Sequence, residues 1–286
     1  MYWSRVKTIL IILFLCINII LLVNMMVSVN QTITISADVV EDTVEVLKRN
    51  GIGIDPSIIP TKMRNMPSLE IENPVQHPSE LAETMFGAGF EQQEEENKYK
   101  FVLNNKILEV HGCEFIYTDP EPDMDMIDLN DANAVSYAKE ALEEFKFDLK
   151  YASPGIVRKI NDDEFAVTFR QKFEKRDVFS NHITVILSSK GVTNIKGYWL
   201  LPKRFTSEKL PVYHITGILI DFIKNPDRPQ DQNSTITGIT LGYYRVDTNK
   251  VYIKNTTGKP VWRISTGDGK SYYYDGATGN YMGMEN

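Results

Sequence analysis

DANAVSYAKEALEEFKFDLK, residues 131–150, is followed by four stretches of strand character at 156–160, 164–174, 180–188 and 191–200, and this order decides the fold. In the first segment Val135, Ala138, Leu142, Phe145 and Leu149 recur at helical spacing on one face, behind Asp131 at the capping position. In the second, Phe165, Val167 and Phe169 alternate with smaller or polar residues, as in a strand with one face on a helix and the other in water. A helix laid on an antiparallel meander is an α+β unit.

A second cycle starts near Pro211. Val212–Ile223 reads as a helix ending before Pro226, and a polar loop leads to strands at 235–246, 249–254, 260–265 and 270–275. Ile183-Thr-Val-Ile-Leu-Ser-Ser-Lys-Gly aligns loosely with Val261-Trp-Arg-Ile-Ser-Thr-Gly-Asp-Gly. The expectation is therefore a C-terminal part, 126–286, of two repeated helix-plus-antiparallel-sheet modules, 126–206 and 207–286. On the other side, 119–130 is rich in Pro and Asp and reads as a boundary. Residues 30–125 form an N-terminal α+β part. It has helices at Ala37–Asn50 and Glu80–Phe86, an irregular proline-bearing stretch at 51–67, and a short strand at Ser68–Glu72. Strands follow at Lys98–Leu103, Lys106–His111 and Glu114–Thr118.

Ile9–Val29 carries no charge over 21 residues. As a helix it is roughly 31 Å long, enough to cross a bilayer core. The run ends without small residues at a cleavage position, and Leu15 precedes Cys16 where a lipoprotein site needs a small residue, so an uncleaved anchor is expected. Arg5 and Lys7 precede the run and the next basic residue is Lys48, which puts residues 1–8 in the cytoplasm and the region from residue 30 outside the cell membrane, in a single pass. Asn18 and Asn24 interrupt the apolar run. An amide in hydrocarbon is costly without a partner, so both are candidates for docking on other membrane helices. The alternative is a plain anchor that tolerates them.

The chain has 31 Lys+Arg against 38 Asp+Glu. Leaving out Arg5 and Lys7, the outer region holds 29 basic against 38 acidic residues, which argues against a nucleic-acid partner. It holds one cysteine, Cys113, so it forms no internal disulfide; that suits a Gram-positive surface better than an animal secretory pathway.

No motif assigns chemistry. Gly269-Lys270-Ser271 resembles the end of a phosphate loop, but Ile264 stands where the loop needs its first glycine. Asp119–Asn130 fails as a calcium loop, with Met124 at the glycine position and Asn130 at the glutamate position. His111 and Cys113, two apart on an expected strand, are too few for zinc, and a buried cysteine is the simpler account. Glu91 and Glu94–Glu96 read as a charged loop. No Gly-x-Ser-x-Gly elbow occurs, and nothing singles out a carboxylate pair for glycoside hydrolysis. Neither a cofactor, a metal nor a catalytic residue is expected. Aromatic residues gather near the C-terminus; Tyr243, Tyr244, Trp262 and Tyr273 are the candidates for an external partner or glycan surface, with core packing as the other reading.

The opening Met1-Tyr-Trp-Ser-Arg-Val-Lys-Thr-Ile-Leu resembles the start of the YycI family, as do Gly242-Tyr-Tyr-Arg-Val, Pro260-Val-Trp-Arg-Ile and Tyr272-Tyr-Tyr-Asp-Gly-Ala-Thr-Gly279. The resemblance implies a non-enzymatic, membrane-anchored regulator of the sensor histidine kinase WalK (YycG) in the WalK–WalR two-component system of low-GC Gram-positive bacteria, which controls cell-wall metabolism. It also implies action together with YycH, contact between membrane helices, and an outer region with a YycH-like fold. The family brings no catalytic residues to carry over. A homo- or hetero-dimer is compatible with it. The alternative function is a cell-wall-acting enzyme or a wall- or peptide-binding module on a membrane anchor.

Overall fold

The computed structural model describes residues 2–29, 32–75, 77–96, 98–123, 126, 128–228, 234–245 and 252–285. Among them are five α-helices: α1 (Tyr2–Val29), α2 (Ala37–Arg49), α3 (Pro78–Phe86), α4 (Ala134–Glu144) and α5 (Ile215–Ile223). The strands of the first half are β1 (Thr32–Thr34), β2 (Ile52–Ile54), β3 (Lys62–Arg64), β4 (Met66–Glu72), β5 (Glu91–Glu95), β6 (Lys98–Leu103), β7 (Lys106–His111) and β8 (Glu114–Thr118). Those of the second half are β9 (Ile156–Lys159), β10 (Glu164–Phe173), β11 (Arg176–Ser188), β12 (Gly191–Tyr198), β13 (Leu201–Leu210), β14 (Ser234–Arg245), β15 (Asn255–Thr266), β16 (Ser271–Asp275) and β17 (Tyr281–Glu285). The protein is α+β and divides into two compact units: residues 1–67, 207–240 and 262–286, and residues 68–206 and 241–261.

In the first unit β2 runs parallel to the start of β14, and β14, β15, β16 and β17 follow as neighbours. Helices α2 and α5 pack on each other. Helix α2 has Asp38 in its first turn and Lys48 and Arg49 in its last, each complementing the helix dipole, and it stops where Gly51 turns left-handed at φ 73°. Leu47, Ile218, Leu219, Phe222, Ile264 and Tyr272 are completely or almost completely buried, and the Phe222 and Tyr272 rings meet edge-on at 5.0 Å. Residues 51–67, expected to be irregular, instead supply β2, a 3₁₀ turn at Pro56–Ile58 and β3, which pairs with β1. Proline here starts the turn, with the Asp55 side chain accepting from the Ser57 amide.

In the second unit β9, β10, β11, β12, β8, β7, β6 and β5 lie in that order, all antiparallel. Helices α3 and α4 cover one face. Phe165, Val167 and Phe169 point into the core with Ile183, Val185 and Leu187 of the next strand, as their alternation predicts. β12 and β11 approach closely at Gly197, φ +147°, where a Cβ would sit 2.1 Å from the His182 carbonyl oxygen. At the other end of the unit β13, β4, β15 and β14 are neighbours, with ion pairs Arg204–Glu70 and Lys203–Glu72 between β13 and β4.

Five expectations need correction. Helix α4 ends at Glu144 instead of near Lys150, because Lys146 takes a left-handed conformation (φ 60°). The Lys146 amide donates to Glu143 O and the Phe147 amide to Leu142 O, a Schellman stop that releases Phe147 to stack on Phe115. The same helix opens behind Asn133, not Asp131, and the second-cycle helix starts at Ile215, not Val212. Glu91–Glu95 is an exposed edge strand rather than a loop; Glu95 lies opposite Lys98 and Gln93 opposite Lys100. Finally, Cys113 lies in the turn after β7 and is buried while His111 is exposed, so the two do not share a strand face. Of the expected strand at 249–254, residues 249–251 lie outside the described residues and 252–254 are not in a strand.

Candidate functional site

Helix α1 spans 28 residues, about 42 Å at 1.5 Å per residue, and Arg5–Leu22 is long and apolar enough to be a candidate membrane span. Every described side chain from Ile9 to Leu22 is exposed. Such an apolar surface is costly in water and suits lipid. At the N-terminal end the Lys7 ammonium lies 5.5 Å from the centre of the Trp3 ring, a cation–aromatic pair of the type that settles at a membrane interface. Asn18 Nδ2 donates to the Phe14 carbonyl oxygen one turn back, at 2.8 Å. The helix thus satisfies part of this amide itself and leaves its oxygen to be met by a neighbour. Asn24 lies in the same helix, but its side chain is outside the described residues.

The aromatic candidates fall mostly inside the protein. Tyr243 is completely buried on β14 beside Phe205, ring centres 5.7 Å apart, and burial pushes its hydroxyl up to about 12. Trp262 is buried on β15, its indole Nε1 donating to Tyr213 O at 3.1 Å. Tyr273 is buried on β16, with its hydroxyl 2.8 Å from Glu285 Oε2. Tyr244, the neighbour of Tyr243 on the opposite strand face, is half-buried. Three of the four are therefore buried, in the manner of core packing.

The second unit contains a cleft of about 240 Å³ that the sequence did not announce. It lies between the start of α3, the turn at Cys113, the chain after α4 and the step from β12 to β13. Phe115 and Phe147 stack at 5.2 Å on its wall, and Trp199, Phe145, Leu81 and Tyr252 add further apolar surface. The polar groups of the wall are turned into the protein. Tyr252 Oη donates to Val75 O (2.7 Å), Trp199 Nε1 to Asp148 O (2.9 Å), and Asn73 Nδ2 to Ile253 O (3.3 Å) while its oxygen accepts from the Val75 amide (3.1 Å). Cys113 Sγ lies 3.8 Å from Ile253 O. Burial raises the Tyr252 hydroxyl well above the usual tyrosine range. Glu80, Lys146 and Asp148 stand exposed at the mouth. Of these groups the sequence singles out only Cys113, as a buried cysteine; the lining residues meet only through contacts distant in the chain.

A family model described as "YycI protein" matches residues 30–277. No curated protein matches the chain. Among solved structures, an uncharacterized protein from Eubacterium rectale ATCC 33656 is similar with a TM-score of 0.52 at 11% identity, over 82% of this chain and 89% of that one. At that identity the likeness is one of fold.

Proposed function

This chain belongs to the YycI family, a family of regulators of the WalK (YycG) two-component system, and from that premise we propose that it acts on the kinase through its membrane helix, with the outer region positioning that helix and contacting the kinase or YycH. The observation that carries this reading is the family match over 30–277 standing directly behind a candidate span. Arg5 and Lys7 favour a cytoplasmic N-terminus and an outer region beyond the cell membrane. Helices associate in lipid through packing and interhelical hydrogen bonds, and Asn18 carries an amide oxygen in the middle of the apolar run. A helix that binds one kinase conformation better than another shifts its equilibrium by that difference and no more. The proposed kinship of the outer region with a repeated, YycH-like module rests on Ile183–Gly191 and Val261–Gly269, each of which carries a long strand into a hairpin turn.

The test is site-specific crosslinking between the two membrane helices in cells. Asn18→Leu is expected to reduce crosslinking to the kinase helix several-fold and to shift transcription of WalR-controlled genes, with the outer region still folded. Unchanged crosslinking together with unchanged transcription would remove Asn18 from the mechanism.

A further inference from the structure

Helix α1 is joined to β1 by residues 30 and 31 alone. Three peptide links separate Val29 from Thr32, so their Cα atoms lie no more than about 11 Å apart. The apolar run from Ile9 to Val29 already fills a bilayer core, and the polar layer beyond each face of that core is roughly 5–8 Å deep. With α1 in lipid, β1 therefore starts at or just above the lipid headgroups. What stands there is a two-stranded sheet of β1 and β3, with Thr32 opposite Arg64, Ile33 opposite Met63 and Thr34 opposite Lys62. Side chains alternate across such a ribbon. Met63 is buried and Ile33 half-buried, so their side is turned to protein, while Thr32, Thr34, Lys62 and Arg64 are exposed on the other.

The exposed side of the ribbon holds two cations and no acid. Arg64 Nε donates to Thr32 Oγ1 at 3.2 Å, which holds the guanidinium over the first residue of β1 and leaves its two terminal nitrogens for a bidentate acceptor. Neither Arg64 nor Lys62 makes an ion pair among the described residues. The first acid that the chain reaches after leaving α1 is Asp38, in the first turn of α2, where the helix dipole favours it. The charge nearest the membrane exit is thus positive. We propose that the exposed side of this ribbon docks on the bilayer surface where α1 emerges, with Arg64 taking a lipid phosphate through both terminal nitrogens and Lys62 a second anionic headgroup. The proposal rests on the reading of α1 as a membrane span, and it supplies that reading with an element that orients the chain as it leaves the membrane.

Thr61 is exposed beside Lys62, and its carbonyl oxygen, which accepts from the Ile35 amide, is untouched by a change of side chain. The experiment uses the full chain carrying Cys16→Ala and Thr61→Cys, labelled with a fluorophore; the chain without Thr61→Cys supplies the background from buried Cys113. Nanodiscs of phosphatidylcholine alone, or with one-third phosphatidylglycerol, carry a nitroxide on a small fraction of headgroups that quenches a docked dye. Phosphatidylglycerol is expected to raise the ratio of docked to undocked ribbon about fivefold for each cation. Salt at about 1 M, where charges are screened beyond about 3 Å, is expected to abolish the rise. Lys62→Gln and Arg64→Gln should each lower the ratio about fivefold in phosphatidylglycerol and leave phosphatidylcholine unchanged. Equal quenching in the two lipids, or a rise that survives both substitutions together, would overturn the docking while leaving α1 in the membrane. A chain that does not enter the discs would overturn the span and the docking together. Loss of the rise on adding soluble glycerol phosphate, but not chloride of the same ionic strength, would assign the cations to a free phosphate and overturn the bilayer as occupant. If a variant fails to fold, the comparison of the two lipids with Lys62 and Arg64 in place decides alone.

Discussion

Replacing Tyr243 by Phe should stabilise the protein, although Tyr243 looks on paper like a residue for a partner. The ring is completely buried, and its hydroxyl has no hydrogen-bond partner among the described residues. A buried hydroxyl without a partner costs about 1–3 kcal/mol. Removing the oxygen forfeits a few tenths of a kcal/mol of dispersion contacts, leaving a net gain of about 1 kcal/mol at neutral pH. Burial moves the ionisation of this phenol from its ordinary 10.0 to about 12. The unfolded chain therefore ionises first, so this contribution to stability is intact below about pH 10 and is lost as pH rises toward 12. At pH 11 the loss is about 1.4 kcal/mol, and phenylalanine has none of it. The advantage of Tyr243→Phe should widen from about 1 kcal/mol at pH 7.5 to about 2.4 kcal/mol at pH 11. Urea unfolding of the full chain in nanodiscs, followed by tryptophan fluorescence with Trp199 and Trp262 as buried reporters, measures both values. A loss of 1 kcal/mol or more at pH 7.5, or no widening at pH 11, would show that the hydroxyl is held by a partner.

Three further substitutions read other parts of the fold. Lys146→Gly removes the left-handed strain at the α4 stop and should raise stability by about 1 kcal/mol in the same urea assay, while Lys146→Val should lower it. Gly197→Ala places a methyl group 2.1 Å from the His182 carbonyl oxygen and should cost about 3 kcal/mol or more, seen as a large drop in the thermal midpoint; a drop of only a degree or two would mean that β11 and β12 separate easily.

Where local pattern and tertiary structure agreed, the sequence was legible. The strands Lys98–Leu103, Lys106–His111 and Glu114–Thr118 lie at the residues their alternation and turns indicate, with Asn104 at φ 53° in the first turn. It was not legible where distant contacts outweigh local preference. Glu and Gln are poor strand residues, yet Glu91–Glu95 is a strand because it pairs along its whole length with β6, where Lys98 lies opposite Glu95 and Lys100 opposite Gln93. Phe145 and Leu149 extend the helical pattern of α4 past its real end, and only the stacking of Phe147 on Phe115, thirty-two residues earlier, shows why the chain turns away. The cleft was invisible for the same reason. Its wall draws on residues near 75, 113, 147, 200 and 252, and no window of sequence contains more than two of those places. Periodicity says that Tyr243 and Tyr273 lie on opposite faces from their neighbours, but not that both faces of their strands are covered.

The geometry of Asn18 also limits how strongly the proposed helix contact can act. In the lone helix its amide already donates to Phe14 O, so docking on another helix exchanges one hydrogen bond for another and newly satisfies only what that bond left over. Polar contacts between membrane helices contribute about 0.6 kcal/mol on average and about 1–2 kcal/mol in favourable peptides, which corresponds to roughly a 3-fold to 30-fold shift in a two-state population. Turning a kinase from almost entirely one state to almost entirely the other takes about 5.5 kcal/mol. In the proposed contact one amide would therefore bias the kinase without switching it, and a complete response would require further state-selective contacts. Under the proposed function, contacts made by residues 30–277 would supply the remainder.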